Sequence, residues 1–293
     1  MQDLISKAAT LLEALPYIQK FNHATFVVKY GGSFMDSPDP AVRNGVARDV
    51  VFLEAVEINP VVVHGGGKAI TRAMEQAGLK ANFIQGQRVT DEATVEVVER
   101  VLSREINPEV VAAINALGGV AQGFAGSDIF TCRKLWLDDK DNPGQKLDIG
   151  YVGEVTGVNT APLLDCIARG ITPVISPTAR GEDGKIYNCN ADVAAAQAAI
   201  ALKARRLVFM SDVPGLMRDP KDPATLITHL QTSEVADLKR AGVVDKGMIP
   251  KVDSAVAAIK TGVEKVQFVD GRVPHSMLLE IFTDAGVGTE VVL

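Results

Sequence analysis

Lys29 ends an apolar run and is followed by Gly31 and Gly32, Lys251 follows Gly247–Met248–Ile249–Pro250, and Asp192 follows Asn188 and Asn190. Two amines and one acid, set far apart in the chain near glycine-rich bends, suit a reacting group that carries spread negative charge. A migrating phosphoryl group is of this kind, because its transfer depends on positioning, cations and backbone donors. A carboxylate between two lysines would keep both charged and in place. The donors lie in the bends. Val61–Val63 runs into His64–Gly65–Gly66–Gly67–Lys68, where a helical pattern starts at once, and Phe26–Lys29 runs into Tyr30–Gly31–Gly32–Ser33. Glycine lets backbone bend tightly and approach a ligand, and a helix N-terminus offers free N–H groups to an anion. Such bends lie at the carboxyl ends of strands, where open α/β sheets bind ligands. Two of them, one preceded by a lysine, predict a site for a substrate and a nucleotide phosphate tail.

Other chemistries lack a necessary residue. A P-loop needs Ser or Thr after Gly-Lys, but Ala69 follows Lys68 and Ile186 follows Lys185. Counting from Gly65 and Gly67, the dinucleotide fingerprint meets Ile70 where it needs glycine. His-Gly-Gly-Gly also forms esterase oxyanion holes, yet no G-x-S-x-G elbow accompanies it here. Protein-kinase signatures are absent.

The elements that must position these residues alternate. Strands are expected at Phe26–Lys29, Val61–Val63, Val120–Phe124, Phe130–Leu137, Tyr151–Val158, Thr172–Ser176, Leu207–Met210, Val266–Val269 and Glu290–Leu293. Helices are expected at Pro40–Ile58, from Ala69 to Gln76, from Glu92 to Leu102 with Thr90 or Asp91 as cap, and, after a break at Pro108, up to Leu117. Further helices are expected at Ala161–Ala168, Asp192–Lys203, Glu234–Ala241, from Gly247 to Lys260 and at Met277–Phe282. This order argues for α/β, a three-layer αβα sandwich around a mainly parallel sheet. The short strands between 120 and 158 are expected to form a hairpin layer beside the substrate site, and residues 179–185 a hairpin tip. A soft boundary near 178–190 divides the chain into an N-terminal helix (1–20), an amino-terminal lobe (21–178) and a carboxyl-terminal lobe (179–293).

Composition agrees. The 293 residues are 47% hydrophobic but only 5% aromatic, which suits parallel strands under Ala-rich helices. A net charge of −6 provides no global field for nucleic acid or acidic lipid, so an anion site must be built locally. Cys132, Cys166 and Cys189 have no metal-ligand spacing and read as reduced thiols of a cytoplasmic protein. No run approaches a membrane span, and Asp3, Lys7 and Glu13 interrupt any signal-peptide core. Leu4, Ala8, Leu11, Leu12, Leu15 and Ile18 fall on one helical face, which could pack on its own domain or on another subunit.

Taken singly, several of these residues have plainer readings. Arg88 could be a surface ion-pair partner, Asn188 and Asn190 turn residues, and Asp192 a carboxylate satisfying helix N–H groups. His64 reads as a structural hydrogen-bonder, since a carboxylate acceptor needs no base. Taken in order, Val28–Lys29–Tyr30–Gly31–Gly32, His64–Gly65–Gly66–Gly67, Gly86–Gln87–Arg88–Val89–Thr90, Asn188–Cys189–Asn190–Ala191–Asp192, Ser211–Asp212–Val213 and Gly247–Met248–Ile249–Pro250–Lys251 span essentially the whole chain. In this it resembles the N-acetylglutamate kinases of the amino-acid kinase family. The resemblance implies that ATP, with Mg²⁺ held mainly by phosphates and no protein metal cage, phosphorylates the side-chain carboxylate of N-acetyl-L-glutamate in arginine biosynthesis. It implies that Lys29 and Lys251 stabilise the transition state and Asp192 organises them. By the same resemblance Gly31 and Gly32 contact the phosphate, Gly66 and Gly67 the side-chain carboxylate, Arg88 the α-carboxylate, Asn188 and Asn190 the N-acetylamino group, and Ser211 and Asp212 the nucleotide. Rival readings are a carbamate, glutamate 5- or uridylate kinase of the same superfamily, or a non-catalytic ligand sensor on the same fold.

The amino-terminal helix and the segment 275–289 resemble those of arginine-inhibited hexameric members, trimers of dimers. This implies an L-arginine site at Tyr17, His275, Glu280 and Gly286; an ordinary terminal helix and edge strand is the plainer reading. A PII-type signalling partner has no support in the residues. Ser33 stands where these enzymes often have asparagine, and Lys246 where glycine is frequent.

Overall fold

The computed structural model describes residues 1–245 and 247–293, except for the side chains at 2–4, 6, 7 and 10. Lys246 therefore lies outside the described residues. The central sheet has eight strands in the order His229–Gln231, Thr289–Val292, Lys265–Asp270, Arg206–Ser211, Thr25–Tyr30, Asn59–His64, Thr172–Ile175, Ala121–Phe124. Every neighbouring pair is parallel except Lys265–Asp270 with Thr289–Val292. The fold is the expected α/β sandwich. Alternation along Thr25–Tyr30 makes the layers: Val27 packs into the apolar cluster that holds Ala194, Ala195 and Ala198, whereas Phe26 and Val28 pack into the opposite cluster with Val50 and Leu53.

This period of two also sets the site. Lys29 is two residues beyond Val27, so it faces the helix Ala191–Ala201, which carries Asp192 in its first turn. Tyr30 pairs with His64 in register, so the two glycine bends leave the sheet side by side. A Cβ on Gly31 would lie 3.2 Å from the Gly65 Cα, and one on Gly65 would lie 3.3 Å from the Gly31 Cα. Glycine at both places is what allows the bends to touch.

Several expected elements differ. The 40–58 helix is two helices, Pro40–Arg43 and Gly45–Ala55, because Asn44 leaves helical geometry. Pro108 breaks nothing: Glu92–Glu99 continues through a π-helical turn, Arg100–Ile106, into Asn107–Ala116. The altered pairing of the π-turn leaves Pro108 in a first-turn position, where its missing N–H is tolerated. Asp91, not Thr90, caps this helix, accepting from the Thr94 N–H at 2.8 Å. The layer expected over 120–158 divides. Ala121–Phe124, with its half-exposed pattern, forms the edge of the main sheet. Phe130–Asp138 and Lys146–Val158 close a small barrel with Thr178–Gly181 and Ile186–Cys189. The hairpin Phe83–Ile84/Gln87–Arg88 and the edge strand His229–Gln231 were not expected.

The helix Gln2–Phe21 precedes the sheet. Its last turns pack on the core through Tyr17 and Ile18, with Tyr17 edge-on to Phe282. Leu11 and Leu12 are 71% and 66% exposed. No helix among the described residues is long and apolar enough to cross a membrane.

Candidate active site

Both glycine bends open into one cleft of ≈ 550 Å³ at the carboxyl ends of the central strands. Lys29, Asp192 and Lys251 meet there. The Lys251 ammonium donates to Asp192 Oδ2 at 2.7 Å, and the Lys29 ammonium lies 3.1 Å from Oδ1 in ion-pair contact. Lys29 Nζ also lies 3.5 Å from the Gly31 carbonyl. Burial pushes the Asp192 carboxyl up, but Lys29 and Lys251 outweigh it and hold it below the usual carboxylate range. Burial, helped by the nearby Lys29, lowers Lys251 against the pull of Asp192. With both amines charged, the three groups sum to +1.

Asp192 has this position because Asn190 caps its helix: Asn190 Oδ1 accepts from the N–H groups of Asp192 at 2.8 Å and Val193 at 3.4 Å. Asn190 therefore has a structural role as well as a place on the cleft wall. Asn188 also lines the cleft and makes a long 3.4 Å contact with Thr90 Oγ1.

Arg88 lines the same cleft, carried by the unexpected hairpin. It is buried, its Nη2 donates to the Gly67 carbonyl at 3.0 Å and to Thr71 Oγ1 at 2.9 Å, and its guanidinium stacks 4.7 Å from the Phe83 ring centroid. No carboxylate among the described residues pairs with it. A buried cation without a counter-ion suits an anionic ligand. Nor do the N–H groups of Gly32, Gly66 and Gly67 have an acceptor among the described residues. The cleft is thus lined by the cations Lys29, Lys251 and Arg88 and by free backbone donors.

Ser211 and Asp212 end the strand Arg206–Ser211. Ser211 Oγ donates to the Val213 carbonyl at 3.1 Å. Asp212 Oδ1 accepts from both the Ser33 N–H and its hydroxyl, at 2.6 and 2.7 Å. No sequence signal announced that link. Nor did one announce Leu102 and Ile106 of the π-turn, which press on Gly66: a Cβ there would lie 2.7 Å from Leu102 Cδ2 and 2.5 Å from Ile106 Cδ1.

Of the four residues named for a second site, Glu280 and Gly286 are neighbours: a Cβ on Gly286 would lie 2.9 Å from Glu280 Oε2. Tyr17 lines an outer cavity of ≈ 610 Å³ with Glu13, Lys20, Phe282 and Asp284, and its hydroxyl donates to Asp284. His275 instead pairs at 2.7 Å with buried Asp49, whose carboxyl burial pushes up to about 6. Glu280 accepts from Gln267 Nε2 and from the N–H groups of Val287 and Gly288, so it shapes the bend that contains Gly286.

A model of the amino acid kinase family matches residues 24–270. The chain is 47% identical to the acetylglutamate kinase of Akkermansia muciniphila over 291 residues, covering 99% of this chain and 96% of the relative. It is equally identical, at 47% over 292 residues, to that of Carboxydothermus hydrogenoformans, covering 99% of both. Among solved structures, N-acetylglutamate synthase from Neisseria gonorrhoeae, complexed with coenzyme A and N-acetyl-glutamate, superposes with a TM-score of 0.84 at 26% identity, covering 98% of this chain but 63% of the synthase. The same synthase complexed with coenzyme A and L-arginine gives 0.79, covering 97% and 65%.

Proposed function

The chain belongs to the acetylglutamate kinases of the amino acid kinase family, and from that premise we propose how its residues transfer a phosphoryl group from ATP to the side-chain carboxylate of N-acetyl-L-glutamate in arginine biosynthesis. The observation that carries the reading is Arg88, a buried guanidinium without a carboxylate partner among the described residues, facing the same cleft as Lys29, Asp192 and Lys251. An acceptor with two carboxylates fits this. Arg88 takes the α-carboxylate, and the N–H groups of Gly66 and Gly67 take the one that reacts. Asn188 and the free amide of Asn190 face the N-acetylamino group.

One oxygen of that carboxylate attacks the γ-phosphorus, the bond to the bridging oxygen breaks, and ADP leaves. The nucleophile is already ionised, so no base is needed. Lys29 and Lys251 stand on either side of the migrating group, Asp192 keeps their spacing, and Gly31 and Gly32 meet its oxygens. Ser211 and Asp212 border the nucleotide. Among the described residues no cluster of three acidic, His or Cys side chains could hold a metal, and Asp192 and Asp212 are already engaged. Mg²⁺ bound to ATP phosphates would supply charge neutralisation; the protein supplies position and the remaining cations.

Inhibition by L-arginine extends the reading. Its support is the outer cavity at Tyr17, the bend shaped by Glu280, and the arginine-bound synthase of the same fold. The exposed Leu11 and Leu12 support helix 1–20 as an oligomer contact, in a hexamer built from dimers. In this cytoplasmic enzyme, lobes 21–178 and 179–293 would serve the acyl substrate and ATP respectively.

The test is ADP release with N-acetylglutamate, glutamate or carbamate as acceptor, with hydroxylamine trapping of the acyl phosphate. Fast release and hydroxamate with N-acetylglutamate alone support the reading, and preference for another acceptor overturns it.

A further inference from the structure

His64 is wholly buried, next to the glycine bend, and has no part in the chemistry described above. Its surroundings determine its tautomer. Asn107, the first residue after the π-turn, has its Nδ2 2.9 Å from the Val174 carbonyl, 3.4 Å from the Phe124 carbonyl and 3.3 Å from His64 Nε2. Two carbonyls face that amide atom, so it must be the NH₂ and not the oxygen; the reverse orientation would set oxygen against oxygen. The NH₂ has two protons for three neighbours; given to its two shorter contacts, Val174 and His64, they make His64 Nε2 an acceptor and place the ring proton on Nδ1. Nδ1 is 2.9 Å from the Gly65 carbonyl and donates to it. Burial pushes the imidazole down to about 4, so the ring is neutral near pH 7.

A trans peptide points its C=O and its N–H in opposite directions. Holding the Gly65 carbonyl towards the buried ring turns the Gly66 N–H away from it, and Gly66 lines the cleft. Leu102 and Ile106 press on the same residue, and Ser103 of the π-turn contacts Ser176 Oγ at 2.9 Å. We propose that Asn107 and His64 form a buried positioning relay, which fixes the Gly65–Gly66 peptide so that its N–H is aimed at the acyl acceptor's reacting carboxylate. This rests on the functional reading above only for the identity of the acceptor. His64 and Asn107 are positioning residues, since neither touches substrate.

The relay is read directly by long-range ¹H–¹⁵N correlation on histidine-labelled wild-type protein at pH 7. The His64 ring should be protonated at Nδ1 and bare at Nε2; the Nε2–H tautomer or an imidazolium overturns the proposal. This measurement needs no variant to fold and does not depend on which acceptor is used. In kinetics, His64→Leu should raise the KM of the acyl acceptor by about tenfold while the KM of ATP moves less than about twofold. His64→Asn, which retains an N–H near the place of Nδ1, should recover most of that loss. Equal losses in the two variants, or parallel shifts of both KM values, would also overturn it. Should a different carboxylate prove to be the acceptor, the kinetic arm is read with that compound, so the two readings fail separately.

Discussion

Asp212 grips Ser33 twice, through its backbone N–H at 2.6 Å and its hydroxyl at 2.7 Å. The contact joins the end of strand Arg206–Ser211 to the first glycine bend, and Gly32 makes room for it: a Cβ there would lie 2.8 Å from Asp212 Oδ1. Ser33 thus gives the bend a short hydroxyl donor that reaches Asp212. Ser33→Ala should keep the backbone bond and lose the other, costing about 1 kcal/mol, or about fivefold in kcat/KM for ATP. Asp212→Ala should cost more, because both donors lose their acceptor. Steady-state kinetics with varied ATP check the order.

The amines carry the largest effect. Lys29→Ala or Lys251→Ala should lower kcat by roughly 10²–10³-fold, the range for removing one preorganised charge-stabilising group. Substrate binding should survive in part, as measured by calorimetry. Wild-type-like turnover in either variant would contradict the roles given to them.

Asp192 should matter for stability as well as rate. Replacing it with alanine leaves two buried ammonium groups facing each other, a loss on the order of 3–5 kcal/mol. A matching fall in the urea midpoint with unchanged slope is expected. Asp192→Ala/Lys251→Met should recover part of that stability without recovering activity.

The pH dependence follows from the same groups. The Asp192 carboxyl is net depressed in the folded state, so its stabilisation is present above the unfolded value of about 3.9 and is lost as pH falls through the lower folded value. Lys251 is also depressed. Between its folded value and about 10.4 the unfolded chain binds more protons, so this group makes stability rise with pH while activity loses a needed charge. The alkaline limb of kcat/KM, which reports the free enzyme, should therefore begin below the usual lysine value. Lys251→Arg, slower overall, should lack that limb, since guanidinium stays charged.

Arg88 tests the substrate assignment. Arg88→Lys keeps the charge but loses the planar fork, and should raise the KM for N-acetylglutamate by about tenfold or more while leaving that for ATP nearly unchanged. If the KM of ATP rises instead, Arg88 serves the nucleotide.

Much of this protein could be read in one dimension. The run Phe26–Lys29 before glycines, the run Val61–Val63 before three more, and the alternation of strand and helix patterns depend on local properties: β-branching, the missing Cβ, and apolar spacing. These determined the layer architecture, the two bends and the amines beside them. The three-dimensional fold decided the partners. Ser33 and Asp212 are 179 positions apart, and Asn107 and Val174 are 67 apart. A polar side chain can bond whatever the packing brings to it, and strand register and helix rotation set that. So Asn190 emerged as a helix cap, Glu280 as the holder of a bend, and the π-turn that presses on Gly66 replaced an expected break at Pro108.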